Sequence, residues 1–218
     1  MLRRYLKFAA QVVLTVGFSS AFAGAYEDFF KSTVNDDART VEQLLARGFD
    51  INSRDEKGQN LLYLSQRDGA PKVAQVLIAH PDLRVDLPNN AGETPLMMAA
   101  LRDQDSWVAK LLDKGARIDG TAEPGKPGWT PLHYAAASPG AKALQVLVAR
   151  GARVDARSPN GTTPLMMAAQ YGTEEAVELL LKQGADLQAR NDLDLVAADF
   201  ARRGGREALA RRLGGSGR

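Results

Sequence analysis

The chain contains no cysteine, which excludes disulfides, thiolate metal sites, thiol nucleophiles and lipid attached through sulfur, so packing alone must hold the fold. Histidine is almost as scarce: His80 and His133 are the two, and no pair stands at metal-ligand spacing. Aromatic residues make up 6% of the chain, so a core must be built from Leu, Val, Ala and Met. Gly204-Gly205 and Gly214-Gly215 lack the strand-loop-helix setting that lets glycines cradle a phosphate. Carboxylates are plentiful but fall in turns and on solvated helix faces, where they name no acid/base pair. These absences predict a protein with no enzymatic activity, no cofactor and no metal.

What is present begins with a targeting pattern. Arg3, Arg4 and Lys7 precede an apolar run from Phe8 to Phe22, and Ala21-Phe22-Ala23 fits the small-x-small rule for cleavage. Residues 1–23 are therefore expected to be a signal peptide, with a second acceptable cut after Ala25. The run is too short for a membrane span, which needs about 20 apolar residues. Arg3-Arg4 leaves the twin-arginine route open beside the general secretory one, and both lead out of the cytoplasm. Of 28 basic residues three lie in this segment, so the mature chain carries 25 basic against 26 acidic residues, a net charge of −1. A nucleic-acid partner is not expected, because phosphate binding needs a concentrated cationic surface.

Self-similarity organises the rest. Gly92-Glu93-Thr94-Pro95-Leu96-Met97-Met98-Ala99-Ala100, Gly128-Trp129-Thr130-Pro131-Leu132-His133-Tyr134-Ala135-Ala136 and Gly161-Thr162-Thr163-Pro164-Leu165-Met166-Met167-Ala168-Ala169 align, with their threonines 36 and 33 residues apart. A second landmark, Gly115-Ala116, Gly151-Ala152 or Gly184-Ala185, begins 21 residues after each Thr. Thr is an N-cap residue and Pro is favoured at the first helical position, so a helix is expected to start at each Thr-Pro. Apolar residues such as Val108, Leu111 and Leu112, at helical spacing, mark a second helix that stops at the glycine in a left-handed cap.

Thr130-Pro131-Leu132-His133-Tyr134-Ala135, with its Met-containing copies, resembles the ankyrin repeat. The resemblance covers residues 26–213 and implies an all-α repeat solenoid of stacked helix-turn-helix units joined by β-hairpin or turn fingers. The expected repeats are 26–54, 55–88, 89–119, 120–155, 156–190 and 191–213 within a domain of residues 24–213, the end copies acting as caps, followed by a flexible tail at 214–218. Pro81 stands where repeat two should carry its capping glycine, so an irregular outer turn is expected there. Residues 120–127 lengthen the finger of repeat four.

Structural roles are expected for His133, which in the family hydrogen-bonds within and between repeats, for Trp107 in the core, and for His80 at a turn. Arg202, Arg203, Arg206, Arg211 and Arg212 are read as a solvated outer face of the last repeat. The family grips proteins with its fingers and the exposed side of its first helices. Carried over by position, that surface comprises Glu56, Lys57, Gln59, Arg67 and Asp68; Asn90, Glu93, Leu101 and Arg102; Lys126, Trp129 and Ser138; and Asn160, Thr162, Gln170 and Tyr171. Trp129 has two readings, a binding anchor or a side chain packed on the extra finger residues.

The expected activity is to bind a partner protein in the periplasm of a Gram-negative bacterium, as a monomer on its own and without a membrane span after signal cleavage. Stabilising that partner is the first reading. Neutralising a toxin as an immunity protein, and secretion to bind host proteins, are the alternatives.

Overall fold

The computed structural model describes residues 20–121 and 128–215, and among them there are twelve helices and no β-strand. Six helices form an inner layer: α1 (Ser20–Lys31), α3 (Leu61–Asp68), α5 (Pro95–Leu101), α7 (Pro131–Ala136), α9 (Pro164–Tyr171) and α11 (Ala197–Arg203). Each is followed by an outer partner: α2 (Ala38–Ala46), α4 (Pro71–Ala79), α6 (Asp105–Asp113), α8 (Lys142–Ala149), α10 (Glu174–Lys182) and α12 (Glu207–Gly215). From α3 onward each inner helix packs on the next, with outer helices behind them, so the chain stacks as a helical solenoid.

The helix starts follow from their caps. The hydroxyls of Thr94 and Thr163 accept the N–H of Met97 and Met166 at 3.3 and 3.4 Å, and Pro95 and Pro164 supply the first helical residue. Asn60 does the same for α3, accepting from the Tyr63 N–H at 2.7 Å. Two outer helices, α4 and α8, have alanine at the N-cap and so no side-chain cap of their own. They are capped from the preceding repeat: Asp36 accepts from the N–H groups of Lys72 and Val73, and Asp103 from that of Ala143. Both aspartates hold a left-handed backbone, φ 49° and 53°, which a short polar side chain tolerates and which turns the carboxylate toward the next repeat.

The helix ends repeat as well. At Gly115, Gly151 and Gly184, all with φ above 80°, the glycine N–H bonds a carbonyl three residues back, and the following alanine N–H bonds one five back. This left-handed closure satisfies the orphan carbonyls of α6, α8 and α10. Repeat two lacks it, as Pro81 implied: α4 ends at Ala79 with His80 extended, and Lys114 of the next repeat donates to the His80 carbonyl. His80 itself accepts the Asp82 N–H at Nδ1.

One apolar cluster runs from Ala25 and Phe29 through Leu61, Leu96, Leu132 and Leu165 to Leu213, so the core is continuous along the stack. Trp107 belongs to it, with the Lys110 ammonium 4.4 Å from its ring centre. Behind the helices a polar ladder joins neighbours. Asn52 pairs with the backbone of Asp82 and Arg84, Asp86 accepts from the Arg117 N–H, and Asp155 accepts from the Asp186 N–H.

Of the two finger forms expected, the structure has the turn: each described finger is closed by a backbone bond such as Asn89 to Glu93 or Ser158 to Thr162, with a bridge between Arg54 and Asn60. Two expectations need correction. The last helix continues through Gly215, beyond the expected end of the domain at 213. Arg206 is no surface cation: its Nη1 donates to the carbonyls of Ala168, Ala169 and Gly172 at 2.8–3.0 Å, closing the end of α9 from the next repeat. The expected signal segment lies outside the described residues except that α1, starting at Ser20, runs through Ala23 and Ala25.

Candidate partner-binding surface

The surface flanked by the fingers and the inner helices is fixed by bonds between successive repeats. Asn90 donates its backbone N–H to the Lys57 carbonyl and its side-chain amide to that of Glu56. Asp192 donates to the Asn160 carbonyl, and Gly128 to that of Arg157. Arg54 and Arg157 reach across one repeat to the carbonyls of Pro88 and Arg190. The fingers therefore form a hydrogen-bonded row, and Glu56, Lys57, Asn90 and Asn160 stand exposed on it.

His133 ties this row to the helices. It is fully buried; Nδ1 accepts the Thr130 N–H at 3.2 Å and lies 2.9 Å from the Thr130 hydroxyl, while Nε2 reaches the Thr162 carbonyl at 2.9 Å. Burial pushes its pKa down to about 4, so the ring is neutral and serves as a bridge between repeats four and five. Trp129 rests edge-on against it, ring centres 5.2 Å apart, and remains 37% exposed.

Three of the expected surface residues are withdrawn by burial. Ser138 is fully buried because α7 ends early and its hydroxyl turns inward onto the Gly140 carbonyl. Thr162 is enclosed where its carbonyl and N–H are taken by His133 and Ser158. Gln59 is covered by Arg67, which donates to its Oε1. Lys126 lies outside the described residues.

The remaining residues fall into two groups. In the first, side chains engage one another. Arg67 grips Asp68 through two bonds of 2.6 and 3.1 Å, and the Thr33 hydroxyl donates to the same carboxylate. Burial opposes the Asp68 charge, but the bonds from Arg67 and Thr33 prevail and hold its pKa below the ordinary carboxylate value. Glu93 accepts from Tyr63 and Asn89 on one oxygen at 2.8 and 2.7 Å and from Tyr134 on the other at 3.1 Å. Burial, reinforced by that carboxylate, raises both tyrosine pKa values. In the second group Tyr171, Gln170, Leu101 and Arg102 line the ends of α9 and α5, with Tyr171 61% exposed.

Sequence reasoning missed Leu193, a 70% exposed leucine at the last fingertip, although it lies 33 residues after Asn160 and occupies the same register. It also missed Tyr63, Asn89 and Tyr134 around Glu93, since no local pattern signals three donors converging from separate repeats. Among the described residues no group of His, Asp or Glu is arranged to hold a metal, and no helix is long and apolar enough to cross a membrane.

Known proteins resemble this chain in sequence or in fold. A nuclear factor NF-kappa-B subunit of Gallus gallus is 30% identical over 135 residues, which is 61% of this chain and 14% of that protein. Neurogenic locus notch homolog protein 2 of Homo sapiens is 32% identical over 118 residues, 54% of this chain and 5% of that protein. The chain thus matches a small part of each of these long relatives. A chain in the solved structure of the Bd0816 predatory endopeptidase from Bdellovibrio bacteriovorus in complex with immunity protein Bd3460 superposes with a TM-score of 0.72 at 26% identity, covering 86% of this chain and 96% of that one. The family described as ankyrin repeats (3 copies) matches residues 30–122 and 120–191, and with the stacked helix pairs and turn fingers described above it follows that the chain belongs to the ankyrin-repeat family.

Proposed function

We propose that the protein is an exported, non-enzymatic holding module that binds a peptidase and silences it, an immunity protein in role. The observation that carries this reading is the match along 96% of a chain from an endopeptidase–immunity protein complex, which extends over nearly the whole repeat stack. The surface supports it: the exposed aromatic and aliphatic groups Trp129, Tyr171 and Leu193 sit on a hydrogen-bonded frame, the arrangement that lets a few anchors carry an interface. Arg3, Arg4, Lys7 and the apolar run ending near Ala23 support export, and the periplasm is the proposed compartment.

The test is affinity capture from an envelope extract of the source organism on the immobilised chain, followed by assay of any captured peptidase on a generic protein substrate. A captured peptidase whose activity falls on adding stoichiometric chain is the expected result. Capture of a partner whose activity rises or persists longer would replace silencing with stabilisation. Cell fractionation checks the compartment, and recovery in the cytoplasm alone would sink the export claim.

A further inference from the structure

Successive inner helices place one apolar or aromatic side chain per repeat at the same register, Phe30, Leu64, Met98, Tyr134, Met167 and Phe200, spaced 33 to 36 residues apart; Leu64, Met98 and Phe200 are buried, and Phe30, Tyr134 and Met167 are half-buried. Leu64 and Met98, with Tyr63, form an apolar cluster separate from the main core, flanked by Phe30 and Leu101. At the middle of this row Tyr63 and Tyr134 turn their hydroxyls onto the half-buried Glu93.

Glu93 is unusual for its surroundings. Its three donors, Tyr63, Tyr134 and Asn89, are all neutral, and none of the ion pairs among the described residues involves it. Arg67, whose charge reaches Tyr63, is already committed to Asp68 and Gln59. Among the described residues the carboxylate is therefore fixed in place without a countercharge. A partner that covers the groove strips the remaining water from it, and a carboxylate so covered is costly unless the partner supplies a cation with good geometry. Because donors on three elements hold it, Glu93 cannot swing out to solvent while they remain bonded.

We propose that Glu93 is the anchor for a basic side chain, arginine above all, presented by the partner on a segment whose neighbouring residues are apolar. The inference rests on the protein-holding reading and adds the chemistry of the partner's contact. Arginine suits the site because its planar fork can reach a carboxylate edge while its stem lies against the half-buried Tyr134 beside it.

The probes are short peptide libraries whose central position is fixed as arginine or as its neutral isostere citrulline, with flanks drawn from Leu, Val, Ala and Ser, bound to the immobilised full chain. Arginine peptides are expected to bind about tenfold or more tighter than citrulline peptides, as a charge-assisted pair in a shielded groove implies. Glu93→Gln, which keeps the shape and a carbonyl acceptor, should abolish that preference. The arginine–citrulline comparison on the unaltered chain stands even if the variant does not fold. Equal binding of the two libraries, no binding by either, or a preference that survives Glu93→Gln overturns the anchor. None of these results bears on peptidase silencing, which is read from capture and inhibition by the whole chain.

Discussion

Around repeats two to four, the polar side chains of the groove are committed to one another: Arg67 to Asp68 and Gln59, Thr33 to Asp68, Tyr63 and Tyr134 to Glu93. Toward repeats five and six, Tyr171 and Leu193 stand exposed, and the bonds run instead through backbone, from Asp192 to Asn160 and from Arg206 to the end of α9. The first region is ordered before any partner arrives, so contact there loses little side-chain freedom. The second offers apolar surface that gains by being covered. One stack thus separates pre-organisation from adhesion, and His133 sits where the two regions join.

That join should be the most sensitive point. Free histidine titrates near pH 6.5, whereas His133 in the fold is pushed down to about 4. Between those values the unfolded chain binds a proton that the folded chain refuses. Stability is therefore complete above pH 6.5 and is lost as pH falls toward 4, by roughly 3 kcal/mol. Urea unfolding between pH 7 and pH 4.5 checks this, with His133→Gln as the control for other groups. A variant whose stability declines as steeply as the parent's would show that the bridge between the regions is not what titrates.

A comparison at one register follows. Arg206 and Gln104 both precede an outer helix and both reach back to the previous inner helix, Arg206 to three carbonyls and Gln104 to one, that of Gln66. Arg206→Ala should cost about 2–3 kcal/mol because several part-buried carbonyls lose their donor, and Gln104→Ala about 1 kcal/mol or less. The Oε1 atom of Gln104 is buried without a partner among the described residues, and its removal lowers the cost at the second site further. Equal losses in chemical denaturation would remove the distinction between the two junctions.

The sequence made the stack legible because its signals are local. Thr-Pro starts, Gly-Ala stops and the 33–36-residue spacing each state a backbone requirement within a few residues. The surface was less legible because exposure depends on what the neighbouring repeat does. Ser138 aligns with Tyr171 and Arg102, yet an early end to α7 turns it inward. Arg206 looked like one of five surface arginines until the end of α9 was seen to lie beneath it. Glu93 was read as a surface residue by position, but what distinguishes it is the arrival of Tyr63 and Tyr134 from 30 residues before and 41 after.

If apolar adhesion belongs to the second region, truncating its exposed aromatic side chain should weaken partner binding more than truncating an exposed cation of the first. Tyr171→Ala, in repeat five, is expected to reduce affinity for the captured peptidase about tenfold, as for an aromatic anchor. Arg102→Ala, removing an exposed cation, should change it by less than about threefold. Surface plasmon resonance on the purified pair would measure both, and the reverse order would transfer the adhesive role to repeats two to four.

The smallest expected effect tests whether the first region is a unit. Tyr63 and Tyr134 hold different oxygens of Glu93 from different repeats, so each Phe substitution removes one neutral-to-charged bond and should cost about 1 kcal/mol. With one hydroxyl gone, the other and Asn89 still orient the carboxylate. With both gone, Asn89 alone remains and the carboxylate can turn to water, releasing its grip on the groove. The double variant should therefore lose about 0.5 kcal/mol more than the sum of the single losses, measured by a double-mutant cycle in urea. Strict additivity would mean that Asn89 fixes Glu93 by itself and that repeats two and four contribute separately, which would reduce the pre-organised region from a network to a set of neighbours.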